Sequence, residues 1–168
     1  FYKASKGEGA VFALGGGNDH TIYQNIIIDS HIGIGTRHMF NGGPQPGGGF
    51  DYRLLAVNYQ NPPYSTAYPL LPDYFNNDPL YPQRNVVEEN VFYMVDQWLT
   101  GPSSYTDLIN TADNITLTDH IFPNLLQGNF EPSTYAPILQ EIPDFEPIPF
   151  SEIGLYTNTF RKSVPLRS

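Results

Sequence analysis

The chain has 168 residues, 40% of them hydrophobic, which suits one domain able to bury a core. A net charge of −9 disfavours nucleic acid, whose phosphates demand a basic footprint, and the absence of cysteine rules out disulfides and thiolate metal sites. No apolar run approaches the roughly 20 residues of a membrane span, so no membrane partner is expected either.

Sixteen prolines and fifteen glycines argue against long helices and for strands separated by turns. Only 15% of residues are charged, so Asn, Gln, Ser, Thr and Tyr must carry much of the surface polarity. That balance is common outside the cell, and an extracellular, secreted location is expected. The chain opens on Phe1-Tyr2-Lys3 rather than Met, shows no signal-peptide pattern, and reads as a processed or excised piece. Two Gly-rich stretches follow, SKGEG from Ser5 and LGGGND from Leu14. Neither has the spacing of a phosphate-binding loop, and both fit tight corners.

The first strong strand is HTIYQNIII, His20 to Ile28. A similar arrangement returns as NVVEENVFY from Asn85 and as ITLTDHIFP from Ile115. Aligned on the central polar residue, Asn25 is followed by Ile26-Ile27-Ile28, Asn90 by Val91-Phe92-Tyr93, and His120 by Ile121-Phe122. Thr21-Ile22, Val86-Val87 and Thr116-Leu117 take equivalent places upstream. Asn90 lies 65 residues after Asn25 and His120 lies 30 after Asn90, unequal steps that repeats with corner insertions tolerate. An inward Asn at a corner can bond neighbouring backbone and accept a left-handed conformation, so residues 25, 90 and 120 are expected to stack as a ladder. Phe1-Tyr2 matches Phe92-Tyr93, which implies an earlier repeat before this chain. The alternative is an all-β sandwich carrying these residues by chance.

Between the first two repeats, residues 35–83 are too rich in Gly and Pro for regular structure and read as one long loop packed through its Tyr, Phe and Leu side chains. Residues 1–34 and 84–128 are expected to form repeated coils. Residues 129–168 read as an extended, Pro-broken tail that caps the last coil through Ile148, Phe150, Ile153 and Leu155.

Three features in this order, GGGNDHTIYQNIIIDS, then the aromatic loop ending DPLYPQRNVVEENVFY, then FEPIPFSEIGLY, make the chain resemble the C-terminal portion of right-handed parallel β-helix proteins of the pectin-lyase-like superfamily. That resemblance implies an all-β solenoid of three parallel sheets and, in members that are enzymes, a polysaccharide groove used by lyases or hydrolases. A secreted carbohydrate-active or carbohydrate-binding protein is the expectation. The competing one is a structural protein whose uncapped strand edges stack on another copy, or on a missing N-terminal part, to form fibres.

The densest polar cluster is DSHIGIGTRHMF. A lyase needs a base and a cation, and His31, Arg37 and His38 are the residue types for those roles, with Asp29 as a substrate contact. Alternation puts His31 on the face of Gly33 and Gly35, and Ile32 with Ile34 on the other. The bland alternative pairs Arg37 with an acid and leaves the histidines at corners. A hydrolase would need two carboxylates, for which Glu8, Asp19, Asp29, Asp51, Glu88 and Glu89 are candidates. Tyr64 and Tyr68 in the loop are candidates for stacking on a sugar, against a simpler role in pinning the loop. No cofactor is expected, although Asp19, Asn18 and backbone carbonyls offer oxygen ligands for calcium. The histidines at 20, 31, 38 and 120 lack zinc spacing, so no other metal site is expected. Asn114-Ile115-Thr116 is a glycosylation sequon if Asn114 faces outward.

Overall fold

A computed structural model of the chain describes residues 1–5, 7, 9–39, 51–153, 157 and 159–163. Among the described residues seven strands form two sheets, and every pairing is parallel. The larger sheet contains β1 (Ala10–Gly15), β3 (Ile26–Arg37), β5 (Val91–Thr100) and β7 (Ile115–Leu117), in that spatial order. The smaller contains β2 (Thr21–Tyr23), β4 (Asn85–Glu88) and β6 (Ile109–Ala112). The chain alternates between the sheets, and each return lays a strand beside its predecessor.

The continuous run Ile26-Ile27-Ile28 has a physical cause: the larger sheet is buried on both faces, where strands read as unbroken apolar stretches. Ile26 and Ile28 join Val91, Tyr93 and Leu117 against Phe122, Ile138, Ile142 and Phe145 of the C-terminal part. Ile27 points the other way, with Phe92, onto Ile22, Val87 and Ile109 of the smaller sheet. Farther along β3 the expected alternation fails. Asp29 takes a left-handed φ of 47°. Beyond it, a Cβ on Gly33 would lie 2.5 Å from the Phe92 ring and 2.9 Å from the Trp98 carbonyl. Gly33 therefore faces the core at Phe92, and only a residue without a side chain fits there.

The sheets are tied at one corner by a column of asparagines. Asn90 Oδ1 accepts from the Asn25 backbone N–H and from Asn25 Nδ2, each at 3.0 Å. Asn114 Oδ1 takes the same place one step on, accepting from the Asn90 N–H at 3.1 Å and Asn90 Nδ2 at 2.9 Å. The third member is thus Asn114, 24 residues after Asn90, and His120 is excluded from the column. His120 instead meets the Tyr93 hydroxyl at 2.8 Å. The left-handed backbone sits on the residue before each Asn: Gln24, Glu89 and Asp113 have φ of 50°, 53° and 51°. Thr116-Leu117 accordingly pairs with Phe92-Tyr93, and the partner of Val86-Val87 is Asn110-Thr111 in a strand that the sequence reading missed.

The expectation of an all-β right-handed parallel β-helix is overturned. Among the described residues there are four short helices: α1 (Asp51–Ala56), α2 (Tyr64–Ala67), α3 (Ser103–Thr106) and α4 (Ala136–Glu141). With 3-10 turns at Leu71–Asn76, Leu125–Gln127 and Phe150–Glu152, they make this a small α/β protein with two parallel sheets, not three sheets wound into a solenoid. Proline explains part of the error. Pro137 and Pro72 occupy first-turn positions, where the ring starts a helical turn instead of breaking it. The C-terminal part is likewise not an extended strap. It docks through α4 and its flanks, with Ile138, Ile142 and Phe145 at most 2% exposed, whereas Ile153 is 55% exposed. Leu155 lies outside the described residues.

Candidate functional site

Residues 51–83 leave the sheets after β3 and return at β4. Their mutual packing is aromatic: Tyr59 is buried and meets Phe75 edge-on at 6.3 Å, and Phe75 meets Tyr74 at 5.4 Å. Buried Pro79 and Pro82, and the bond from the Met39 N–H to the Leu80 carbonyl at 2.8 Å, fasten the excursion to the body.

Against this excursion runs the turn between β1 and β2, residues 16–20, and the two enclose a cleft of about 560 Å³. Tyr59, Tyr64, Tyr68 and Tyr74 supply its aromatic lining, with Leu54, Val57 and Leu71 between them. Tyr64 is 38% exposed and Tyr68 63%, so their rings are open to a ligand. Burial pushes the Tyr74 phenol above its ordinary pKa.

The polar lining comes from Asn18, Asp19, His20, Asn77 and Arg84. Backbone bonds set its geometry. Asn18 Oδ1 accepts from the Gln83 N–H at 2.9 Å, the His20 N–H donates to Asn85 Oδ1 at 2.9 Å, and the Val86 N–H donates to the His20 carbonyl at 2.8 Å. Gly17 is left-handed at φ 77°, and a Cβ there would lie 2.9 Å from His20 Nε2, so glycine leaves the imidazole its place. Arg84 grips Asp19 with two parallel bonds, Nε to Oδ1 at 2.8 Å and Nη2 to Oδ2 at 2.9 Å. Those bonds hold the Asp19 carboxyl below the usual carboxylate range and raise the guanidinium.

The candidates from the sequence fall into three places. Tyr64 and Tyr68 line this cleft. Asp29 and His31 line a second, more polar one of about 470 Å³ with Lys3 and Asp96. There Lys3 Nζ lies 3.4 Å from Asp29, and His31 Nδ1 lies 2.8 Å from Asp96. Arg37 and His38 sit at the far end of β3 and do not line that cleft. The Arg37 side chain passes over Gly15, and the His38 ring stacks on Tyr105 at 6.1 Å. His31 and Asp29 therefore share one cleft, whereas Arg37 and His38 lie outside it.

Of the carboxylates considered for hydrolysis, Asp19 is held by Arg84, Asp29 by Lys3 and Glu89 by Gln24 Nε2 at 2.7 Å. Asp51 accepts from the Tyr52 N–H at the start of α1, and Glu8 lies outside the described residues. Among the described residues no group of three or more His, Asp or Glu side chains could hold a metal ion. No described helix is long and apolar enough to cross a membrane. The amide of Asn114 is committed to the Val87 carbonyl at 2.7 Å, which leaves the sequon nitrogen inside the ladder.

The residues that sequence reasoning missed are Arg84, His20 and Asn77 in the first cleft and Asp96 in the second. A signal existed for two of them. The 65-residue offset between Asn25 and Asn90 also carries Asp19 onto Arg84 and His31 onto Asp96. No protein-family model matches this chain, and no curated protein or solved structure does.

Proposed function

We propose that this chain binds a carbohydrate in the tyrosine-lined cleft. The supporting observation is the pairing of accessible Tyr64 and Tyr68 rings with a fixed row of planar polar groups, Asn18, Asp19 and Arg84. A pyranose ring presents exactly two kinds of surface to a protein, an apolar C–H face and a rim of hydroxyls. Tyr rings cover the first at little entropic cost, and amide, carboxylate and guanidinium groups bond the second. A cleft of about 560 Å³ is within the range of small-ligand sites.

Calorimetric titration with a panel of oligosaccharides tests the proposal. Saturable binding is expected, weakened about 5- to 10-fold by Tyr68→Ala, the loss that follows from one stacking contact. The proposal fails if no member of the panel binds, or if Tyr68→Ala binds as tightly as the parent chain.

A further inference from the structure

Resting on the glycan reading above, we infer that the cleft selects neutral saccharides, and that Asp19 is the residue that turns charged glycans away. Among the described residues lining the cleft, two carry side chains that are or can become cationic, Arg84 and His20. Arg84 is already partly occupied: its Nε and Nη2 are bonded to both oxygens of Asp19, which uses one bidentate edge of the guanidinium and sets a carboxylate beside the remaining one. A uronic acid or sulfated sugar approaching Arg84 would find its Nε/Nη2 edge filled and the Asp19 carboxylate beside the outer edge. It would have to displace Asp19 or lie beside it, like charge against like charge. The chain as a whole, at −9, adds no attraction for a polyanion.

The same pair is well suited to a neutral diol. A hydroxyl is donor and acceptor at once. The carboxylate keeps spare lone pairs, and the guanidinium keeps three N–H groups, two on Nη1 and one on Nη2. Adjacent hydroxyls can thus donate to Asp19 and accept from Arg84 without either charge being uncovered. Asn18 and Asn77, which line the same cleft, extend that row without adding charge.

The test compares a neutral gluco-oligosaccharide with an oligouronide of equal length, by calorimetry at pH 7 and low salt, on the parent chain and on Asp19→Asn. Asn is isosteric and tolerates the left-handed backbone of residue 19, φ 64°, so the variant keeps its turn, and its thermal midpoint is recorded as a check. The parent chain is expected to bind the neutral ligand at least tenfold more tightly. Asp19→Asn is expected to raise uronide affinity about tenfold by uncovering Arg84, with a fall of a few-fold for the neutral ligand. A parent chain that prefers the uronide, or a variant that leaves the neutral-to-uronide ratio unchanged, overturns the inference while leaving glycan binding in place. Absence of binding to both ligands overturns the glycan reading and the inference together.

Discussion

The two sheets and the excursion at residues 51–83 are built on different principles. In the sheets, backbone pairs with backbone in register, and a column of asparagines, buried at its centre, closes the corner from Asn25 through Asn90 to Asn114. The excursion has no strand; aromatic rings hold it to itself, and it leaves Tyr52, Leu55, Val57, Tyr64, Tyr68 and Leu70 well exposed. A ladder satisfies its own polar groups and has little left to offer a ligand. A segment stapled by a few rings keeps apolar surface outside, which is where recognition elements are usually found.

The sharpest way to break this contrast is at the centre of the column. Asn90 is fully buried and its side chain donates to the Ile22 and Glu88 carbonyls besides bonding both neighbouring asparagines. Asn90→Ala strands several buried backbone groups and is expected to destabilise the chain by roughly 3 kcal/mol or more in urea unfolding. Asn114→Ala, at the end of the column, is expected to cost about half of that. Equal costs at the two positions would show that the column is not acting as a unit.

A smaller and more local effect is expected in the excursion. Tyr59→Ala removes its buried ring and should loosen residues 51–83 by about 2 kcal/mol. Limited proteolysis is then expected to cut there first, with the main unfolding midpoint nearly unchanged. A large drop in that midpoint would mean that the excursion and the sheets melt together.

The smallest effect concerns acid. Arg84 depresses the Asp19 carboxyl in the folded chain, so the pair contributes stability above the ordinary Asp value of about 3.9 and loses it as pH falls through the lower folded value. Both partners are well exposed, so screening limits that contribution to about 0.5 kcal/mol at most. The difference in stability between the parent chain and Asp19→Asn should shrink towards zero between pH 5 and pH 2. A difference that persists at pH 2 would assign it to something other than this ion pair.

Much of the strand pattern was legible, because β-branched runs led by Asn25 and Asn90 announce themselves. The third step was misread at His120. Asp113-Asn114-Ile115 repeats the acid-Asn-aliphatic order of Glu89-Asn90-Val91, but Asn114 also begins a sequon, a pattern that competes with the ladder for the same residue. The helices were illegible for a different reason. In a segment dense in Pro and Gly, propensity cannot separate a proline that starts a turn, such as Pro72, from one that ends it. The cleft was half legible. Tyr64 and Tyr68 stood out by type, whereas the pairing of Asp19 with Arg84 acquires meaning only once the strands are in register.

The column has one more consequence. Asn25 and Asn90 are 65 residues apart and Asn90 and Asn114 only 24, yet the two steps make the same pair of bonds. The frame is therefore indifferent to contour length between its fixed points, and doubling such a detour costs only about 0.6 kcal/mol in closure entropy. Segments of other lengths and chemistries could be grafted at that junction, so a recognition surface there can diversify while its support stays the same.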